Sequence, residues 1–179
     1  MNILHKHNDG DNGNAFSWKS LGDINMGRPN LGSMVPVFIY RLMLYTLQET
    51  LRNSLGRDET DELIRAGGHL AGVEFCNNML DKTLDFGKFV ASLQKCLRDN
   101  CIGIMRIENA DIDKGLFNIT MAEDLDCSGL PLTHEVVCKY DEGFLAGILE
   151  AYSGKPFIAR EVDCWASGER VCRFNVSQT

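Results

Sequence analysis

The first long apolar run of the chain lies between Ser33 and Gly56, and its apolar positions surround most of a helix instead of forming one stripe. Ser33 is a suitable N-cap and Pro36 is tolerated in a first helical turn, so we predict a helix from here through Leu51. A helix that is apolar on several faces has to be covered on several faces. We therefore expect this helix to be either a central element or a dimer interface.

Two more helices are predicted before residue 100. The second runs from about Glu59 to Leu80 and contains a glycine-rich stretch at residues 66–72. Each glycine lowers helix stability by about 1 kcal/mol relative to alanine, so we expect another part of the protein to approach this surface closely. Asp85 caps the third helix. The apolar residues of that helix recur at helical spacing: Phe86, Phe89, Val90, Leu93 and Leu97.

Apolar and polar residues alternate after Asn100, as they do in half-buried strands. Residues 102–106 and 117–121 form a predicted hairpin, and residues 157–165 and 170–176 form a second one around a turn at 166–169. A helix predicted from Thr133 to Ser153 lies between them. The predicted fold class is α+β, with N-terminal helices packed on an antiparallel sheet of two hairpins that a long helix separates.

Composition divides the 179 residues into three parts. Residues 1–15 are rich in Asn, Asp and Gly and are predicted to be a disordered tail, residues 16–33 an irregular arm, and residues 34–179 a single domain. The net charge of −7 argues against a nucleic-acid-binding protein and against an anionic membrane surface. The longest apolar stretch, Met34 to Leu47, contains Arg41 and is shorter than the roughly 20 residues of a membrane span. Without a signal for export, we expect a cytoplasmic protein.

Seven cysteines are many for such a chain. In a reducing compartment they are more often free or metal-bound than paired in disulfides. Cys76, Cys96 and Cys101 lie at or beside apolar positions and are interpreted as packing residues. The other four lie in the last third of the chain: Cys127, Cys138, Cys164 and Cys172.

The predicted final hairpin places two of these cysteines together. If Gly168 is the centre of the turn, Cys164 and Cys172 lie opposite each other on one face. With Cys127 and Cys138 they can form a tetrahedral zinc site. The spacing lacks the close Cys-x-x-Cys pairs of many zinc sites, so buried thiols without a metal are the alternative. Possible substitutes for one sulfur are Glu123, Asp126 and His134.

A longer pattern resembles a known family. It consists of Cys138-Lys-Tyr-Asp-Glu-Gly-Phe-Leu-Ala-Gly-Ile-Leu-Glu150, then Gly154-Lys155, then Glu161-x-x-Cys164-Trp-x-x-Gly168-x-x-x-Cys172-x-Phe174. This pattern is similar to the 4-vinyl reductase domain family, and the arm Gly27-Arg-Pro-Asn-Leu-Gly32 is similar to its small stand-alone members. The resemblance implies the fold shared by nitric-oxide-signalling ligand domains and Golgi transport-particle subunits. It also implies a prokaryotic sensor that binds small molecules, often hydrocarbons.

The same resemblance bears on the metal. In family relatives that sense aromatic compounds for transcriptional activators, three cysteines and a variable fourth ligand hold zinc. Cys138, Cys164 and Cys172 match those three cysteines, and Cys127 or, less favourably, Glu123 is available as the fourth ligand. Four protein ligands imply a closed, structural site.

We therefore predict a non-enzymatic binding protein with a structural zinc and a hydrophobic or aromatic ligand. A reductase activity is suggested only by the family name, because the chain has no cofactor fingerprint. The alternatives are a tetrapyrrole-related enzyme or carrier, to whose metal His69 could bind, and a dimeric adaptor that associates through its first long helix. Arg41 is interpreted as the partner of an anionic ligand group or of an acidic side chain. The predicted ligand-lining residues are Leu70, Phe89, Phe117, Phe144, Ile148 and Trp165.

Overall fold

A computed structural model describes residues 16–179, in two compact units that divide between Met34 and Val35. The predicted disordered tail, residues 1–15, lies outside the described residues. The first unit contains a 3-10 turn, Trp18–Leu21, and a four-residue helix, α1 (Ile24–Gly27). Asp23 caps α1 by accepting a hydrogen bond from the Met26 N–H at 2.9 Å. None of the described residues of this unit is buried.

The second unit contains four longer helices and four strands. In chain order they are α2 (Val37–Leu55), α3 (Arg57–Met79), α4 (Phe86–Asp99), β1 (Ile104–Asp111), β2 (Leu116–Ala122), α5 (Lys139–Ser153), β3 (Phe157–Asp163) and β4 (Cys172–Gln178). The strands form one antiparallel sheet in the order β1-β2-β4-β3. The α+β prediction of helices and two hairpins separated by a long helix is confirmed. None of the described helices is long and apolar enough to cross a bilayer.

Two predicted helix starts are wrong. Helix α2 is capped by Pro36 and not by Ser33, since the residue before a proline is disfavoured in a helical conformation. Helix α5 begins at Lys139, six residues after the predicted Thr133. The N–H groups of Thr133 and His134 donate instead to the Ala166 carbonyl, at 2.8 and 3.0 Å. Helix α4 begins as predicted, with the Lys88 N–H donating to Asp85 at 3.0 Å.

The central helix of this unit is α5 and not the first long helix. Every residue from Asp141 to Leu149 is buried, whereas only Leu44 and Gln48 are buried in α2. The expectation of a central first helix is therefore wrong. Helix α2 instead exposes an apolar face, on which Phe38 and Met43 are 66% and 64% exposed.

Helices α3 and α5 are in backbone contact through glycines. A Cβ atom at Gly68 would lie 2.0 Å from the carbonyl oxygen of Tyr140, and one at Gly143 would lie 1.9 Å from that of Arg65. Gly72 and Gly147 make equivalent approaches one turn further along, at 2.2 Å each. The expected close approach to the glycine-rich stretch is present, and its partner is α5. Gly67 takes no part, because nothing lies within 4 Å of its Cβ position.

Candidate functional site

Four cysteine sulfurs meet on the buried side of the sheet. Cys127 lies in the loop between β2 and α5, Cys138 is the N-cap residue of α5, Cys164 follows β3, and Cys172 begins β4. Their sulfurs all lie within 4.8 Å of one another, and each residue is at most 1% exposed. The sequence predicted these four residues to gather, and the cluster joins a loop, a helix start and the final hairpin.

The sulfur positions suit a tetrahedral ion. Zinc–sulfur bonds of about 2.3 Å place the sulfurs of a tetrahedral site about 3.8 Å apart. Cys138 Sγ lies 3.8 Å from both Cys164 Sγ and Cys172 Sγ, and Cys127 Sγ lies 3.0 Å from Cys172 Sγ. Cys127 is not disulfide-bonded, and the cluster needs only a small outward movement of one sulfur to take an ion. A buried cluster of four cysteines can therefore bind a metal.

The acid–base balance of the cluster favours a cation. Hydrogen bonds from the thiols of Cys127, Cys138 and Cys172 lower the pKa of Cys164 far below its usual range. Hydrogen bonding with Cys127 raises the pKa of both Cys138 and Cys172. Without a cation, the cluster thus holds one thiolate surrounded by thiols. A divalent ion is what stabilises all four as thiolates.

Helix α2 anchors the loop that carries Cys127. The Arg41 guanidinium donates to the carbonyl oxygens of Leu125 at 2.8 Å and Ser128 at 2.9 Å. The hydroxyl of Tyr40 donates to Asp126 Oδ1 at 2.7 Å. Arg41 therefore pairs with backbone carbonyls, and not with the acidic side chain or ligand anion that the sequence suggested. The signal in the sequence was a polar side chain in an apolar helix, but it did not reveal the partner.

Buried carboxyl groups surround the cysteines, and sequence reasoning missed most of them. Burial and the charge of Asp124 raise the pKa of Asp126 to about 7. Burial raises the pKa of Glu161 to about 8, and its Oε2 accepts the Cys138 N–H at 2.9 Å. Asp124 and Asp141 are 3% and 7% exposed. The period-two burial of β3 was the signal available for Glu161.

The remaining predicted alternatives lie elsewhere. Glu123 and His134 are exposed, and both adopt positive φ angles in the loop. Neither belongs to the group of sulfurs. Cys76 is buried and Cys96 half-buried, but Cys101 is exposed, so its interpretation as a packing residue is wrong. His69 lies on α3, with Nε2 3.1 Å from Glu150 Oε2.

A buried carboxylate joins α3, α5 and β3 near the cluster. Glu142 Oε1 accepts from Lys139 Nζ at 2.8 Å and from the Glu161 N–H at 3.0 Å. Its Oε2 accepts from Arg65 Nε at 2.7 Å. Together these hydrogen bonds outweigh burial and lower the pKa of Glu142. The group is 1% exposed and charged, so it holds three elements in register.

The six predicted ligand-lining residues are dispersed through the unit. Phe89 stacks on Tyr152 at 3.9 Å between ring centroids, and Phe144 packs edge-on against Phe75 at 5.3 Å. Phe117 stacks on Phe86 at 5.3 Å, and Ile148 is fully buried. Leu70 is exposed on α3. Trp165 donates from Nε1 to the Leu130 carbonyl at 3.2 Å.

An apolar pocket of 340 Å³ opens between α2, α3 and α5, and none of those six residues lines it. Its wall includes Tyr40, Met43, Leu47, Leu63, Ile64 and Tyr140. Tyr40 connects the pocket to the cysteine loop, because its hydroxyl bonds Asp126, the neighbour of Cys127. The volume lies at the lower end of the range for small-molecule sites, which is about 300 to 1,000 Å³.

The sequence comparisons identify the final part of the chain. Residues 117–178 match the 4-vinyl reductase domain family. The chain is 29% identical over 146 residues to an uncharacterized protein of Methanocaldococcus jannaschii, MJ1642, an alignment that covers 82% of this chain and 80% of that protein. The resemblance seen in the sequence is confirmed, and all four clustered cysteines lie within the matched residues.

Solved structures show the same fold. A vinyl-4-reductase family protein from Methanocaldococcus jannaschii superimposes with a TM-score of 0.61 at 18% identity, covering 93% of this chain and 99% of that one. The phenol-responsive sensory domain of the transcription activator PoxR, solved with phenol, gives 0.59 at 18% identity, covering 82% of this chain and 76% of that one.

Two further structures test the predicted breadth of the fold. A trafficking protein particle complex subunit 3 from Naegleria fowleri gives a TM-score of 0.58 at 14% identity, covering 79% of this chain and 96% of that one. An H-NOX protein from S. oneidensis gives 0.50 at 10% identity, covering 76% and 74%. The expected relation to trafficking subunits and nitric-oxide-binding domains is confirmed at the level of the fold.

Proposed function

We propose that this chain is a regulatory binding module for hydrophobic or aromatic small molecules, with a structural zinc ion held by Cys127, Cys138, Cys164 and Cys172. The observation that carries the proposal is the buried cluster of four sulfurs, whose spacing suits a tetrahedral ion. The likeness of the fold to a phenol-responsive sensory domain supports the ligand class. The proposal includes no catalytic step.

Zinc would act here by connecting elements. Its bonds would tie the Cys127 loop to the start of α5 and to the final hairpin, and four protein ligands leave no open position for chemistry. The loop is also bonded to α2 through Arg41 and Tyr40. A ligand that moves α2 would therefore change the strain at a metal ligand.

Two locations for the ligand follow from the molecule. The first is the α5 side of the core, lined by the residues predicted from sequence. The second is the pocket between α2 and α3, which already has an apolar wall and a volume of 340 Å³. The second location is favoured, because Phe89 and Phe144 are packed against other rings at the first.

A filled-pocket variant tests this proposal. Purified zinc-loaded protein is titrated with phenol, toluene and a medium-chain fatty acid, and binding is measured by calorimetry. Leu63→Trp, in the pocket wall, is expected to weaken binding at least tenfold, whereas Leu70→Trp, two turns further along α3, leaves it unchanged. The reverse result would move the ligand to the first location. If none of the compounds binds the wild-type protein at millimolar concentration, the binding function is wrong.

The exposed apolar face of α2 favours a second candidate function, a dimeric adaptor that pairs through this helix. Contiguous exposed apolar patches commonly mark association sites. Phe38→Glu is expected to convert a micromolar dimer to a monomer in sedimentation experiments, while Thr50→Glu on a polar position of the same helix has no effect. A wild-type protein that stays monomeric at this concentration would exclude the adaptor.

A further inference from the structure

A second group of buried ligand atoms lies beside the four sulfurs. Asp124, Cys138 and Asp141 each contribute one atom to it, and these atoms lie within 4.8 Å of one another. Asp124 belongs to the loop before α5, and Asp141 lies in the first turn of α5. Cys138 belongs to both groups, so the two clusters share one sulfur.

The two carboxyl groups differ in how they are satisfied. Asp124 Oδ1 accepts the N–H groups of Asp126 at 2.8 Å and Cys127 at 3.0 Å, which fixes its orientation. Asp141 Oδ2 is buried and has no hydrogen-bond partner among the described residues. A buried polar atom left unpaired costs about 1 to 3 kcal/mol, and more if the group is charged. This oxygen therefore lacks a positive partner.

The charge of the surroundings makes that need greater. Four thiolates around one divalent ion carry a net charge of about −2, and the carboxylates add to it. Arg41 reaches this loop, but its Nη2 donates to the carbonyl oxygen of Asp124 at 3.3 Å and not to the carboxylate. Burial and the charges of Asp124 and Asp126 raise the pKa of Asp141 well above its usual range. A bare carboxylate is thus the least stable state of Asp141.

We propose that Asp124, Asp141 and the Cys138 thiolate form a second divalent-cation site, in which Cys138 bridges to the ion held by the four cysteines. This inference rests on the proposed metal function of the cysteines. Ligands on opposite sides of one ion are about 4.4 Å apart for one oxygen and one sulfur, so the three atoms can share a coordination shell. Two carboxylates and a thiolate suit zinc, iron(II) or cobalt(II) better than calcium or magnesium. Binding displaces the Asp141 proton to solvent.

Cobalt(II) is the probe for the test, because its spectrum and its spin report the ligands. Metal is removed with a chelator under reducing conditions, and the full chain is titrated with cobalt(II) while bound metal is counted. The first equivalent is expected to give the strong visible bands of a tetrahedral thiolate site. The second equivalent is expected to give weaker bands and to reduce the paramagnetic resonance signal, because a bridging thiolate couples the two spins.

Isosteric variants locate the second ion. Asp141→Asn and Asp124→Asn are expected to bind a single cobalt with the four-sulfur spectrum, which also shows that the variant folds. Asp58→Asn, at an exposed position of α3, should bind two ions as the wild type does. If a variant fails to fold, the spin coupling of the wild type decides, and its absence overturns the second site.

The failures are distinguishable. A wild-type chain that binds a single ion with a four-sulfur spectrum overturns the second site and leaves the zinc proposal intact, with Asp141 held protonated instead. Two ions in the wild type and in both asparagine variants overturn the assignment to Asp124 and Asp141. A chain that binds no cobalt overturns both proposals.

Discussion

Glu142 is the residue on which the registration of three elements depends. Its carboxylate is 1% exposed and accepts hydrogen bonds from Arg65, Lys139 and the Glu161 N–H. Removing one member of a buried charge network leaves the others unpaired in a medium of low polarity. The cost of losing Glu142 therefore exceeds what its own hydrogen bonds contribute.

Glu142→Gln is expected to lower the free energy of unfolding by about 3 kcal/mol at neutral pH. Since the pKa of Glu142 is lowered in the fold, the carboxylate stabilises the fold above its unfolded pKa, and this contribution is lost as the pH falls through the folded pKa. The difference between variant and wild type should thus shrink below about pH 4. Urea denaturation at both pH values, at fixed metal content, measures it.

The matched control for this prediction is Glu135→Gln. Glu135 pairs with Arg57 on the surface, where both side chains are about half exposed. Exposed ion pairs contribute about 0 to 1 kcal/mol, so the control should remain close to the wild type. Equal losses in the two variants would show that the burial of Glu142 is not what gives it importance.

At the scale of elements, the contact between α3 and α5 is made by backbone and not by side chains. Gly143→Ala would place a Cβ atom 1.9 Å from the Arg65 carbonyl oxygen, so the helices would have to separate. We expect a loss of about 3 kcal/mol, which is typical of a severely overpacked site. Gly67→Ala, on α3 but away from this contact, should raise stability by up to about 1 kcal/mol. Thermal denaturation of both variants compares the two, and a stable Gly143→Ala protein would contradict the contact.

The sequence predicted these elements well wherever one local rule acted alone. Helix α4 has its apolar stripe and its Asp85 cap, and both are present. Helix α5 begins late because Thr133 and His134 bond the distant Ala166 carbonyl, a contact between loops that no local pattern records. Helix α2 has an apolar run that could indicate burial or an interface, and periodicity cannot separate these.

The candidate site was predictable in part for the same reason. The hairpin geometry brought Cys164 and Cys172 together on paper, because opposite residues in a hairpin are fixed by the turn. The buried carboxyl groups were not predictable, since Asp124 and Asp141 approach each other only through tertiary packing. The pocket between α2 and α3 could not be predicted either, because it depends on how two helices diverge.

At the scale of the whole molecule, metal and folding are linked. The four sulfurs come from three separate elements, so the unfolded chain offers no comparable site. A ligand present at a hundredfold excess over its dissociation constant stabilises a fold by about 2.7 kcal/mol. Chelation of metal-replete protein is therefore expected to lower the unfolding temperature by roughly 5 to 10 °C. Calorimetry with and without a zinc chelator measures the shift.

The cysteines supply their own controls for this prediction. Cys172→Ser should unfold at the lower temperature with or without zinc, whereas Cys96→Ser should respond to zinc as the wild type does, since Cys96 lies on α4 away from the cluster. An unfolding temperature that chelation does not change would show that the cluster contributes no metal-linked stability.

The backbone contact between α3 and α5 also determines how this part of the molecule can move. Side chains that separate two helices can change rotamer and let the helices slide by small steps, but at Gly68 and Gly143 there is nothing to rearrange. The contacting glycines repeat every four residues, so a displaced α3 would find its next matching position only after about one turn, roughly 5.4 Å. The two helices must therefore travel as one rigid body, and any push on α3 arrives undiminished at Cys138, where α5 begins.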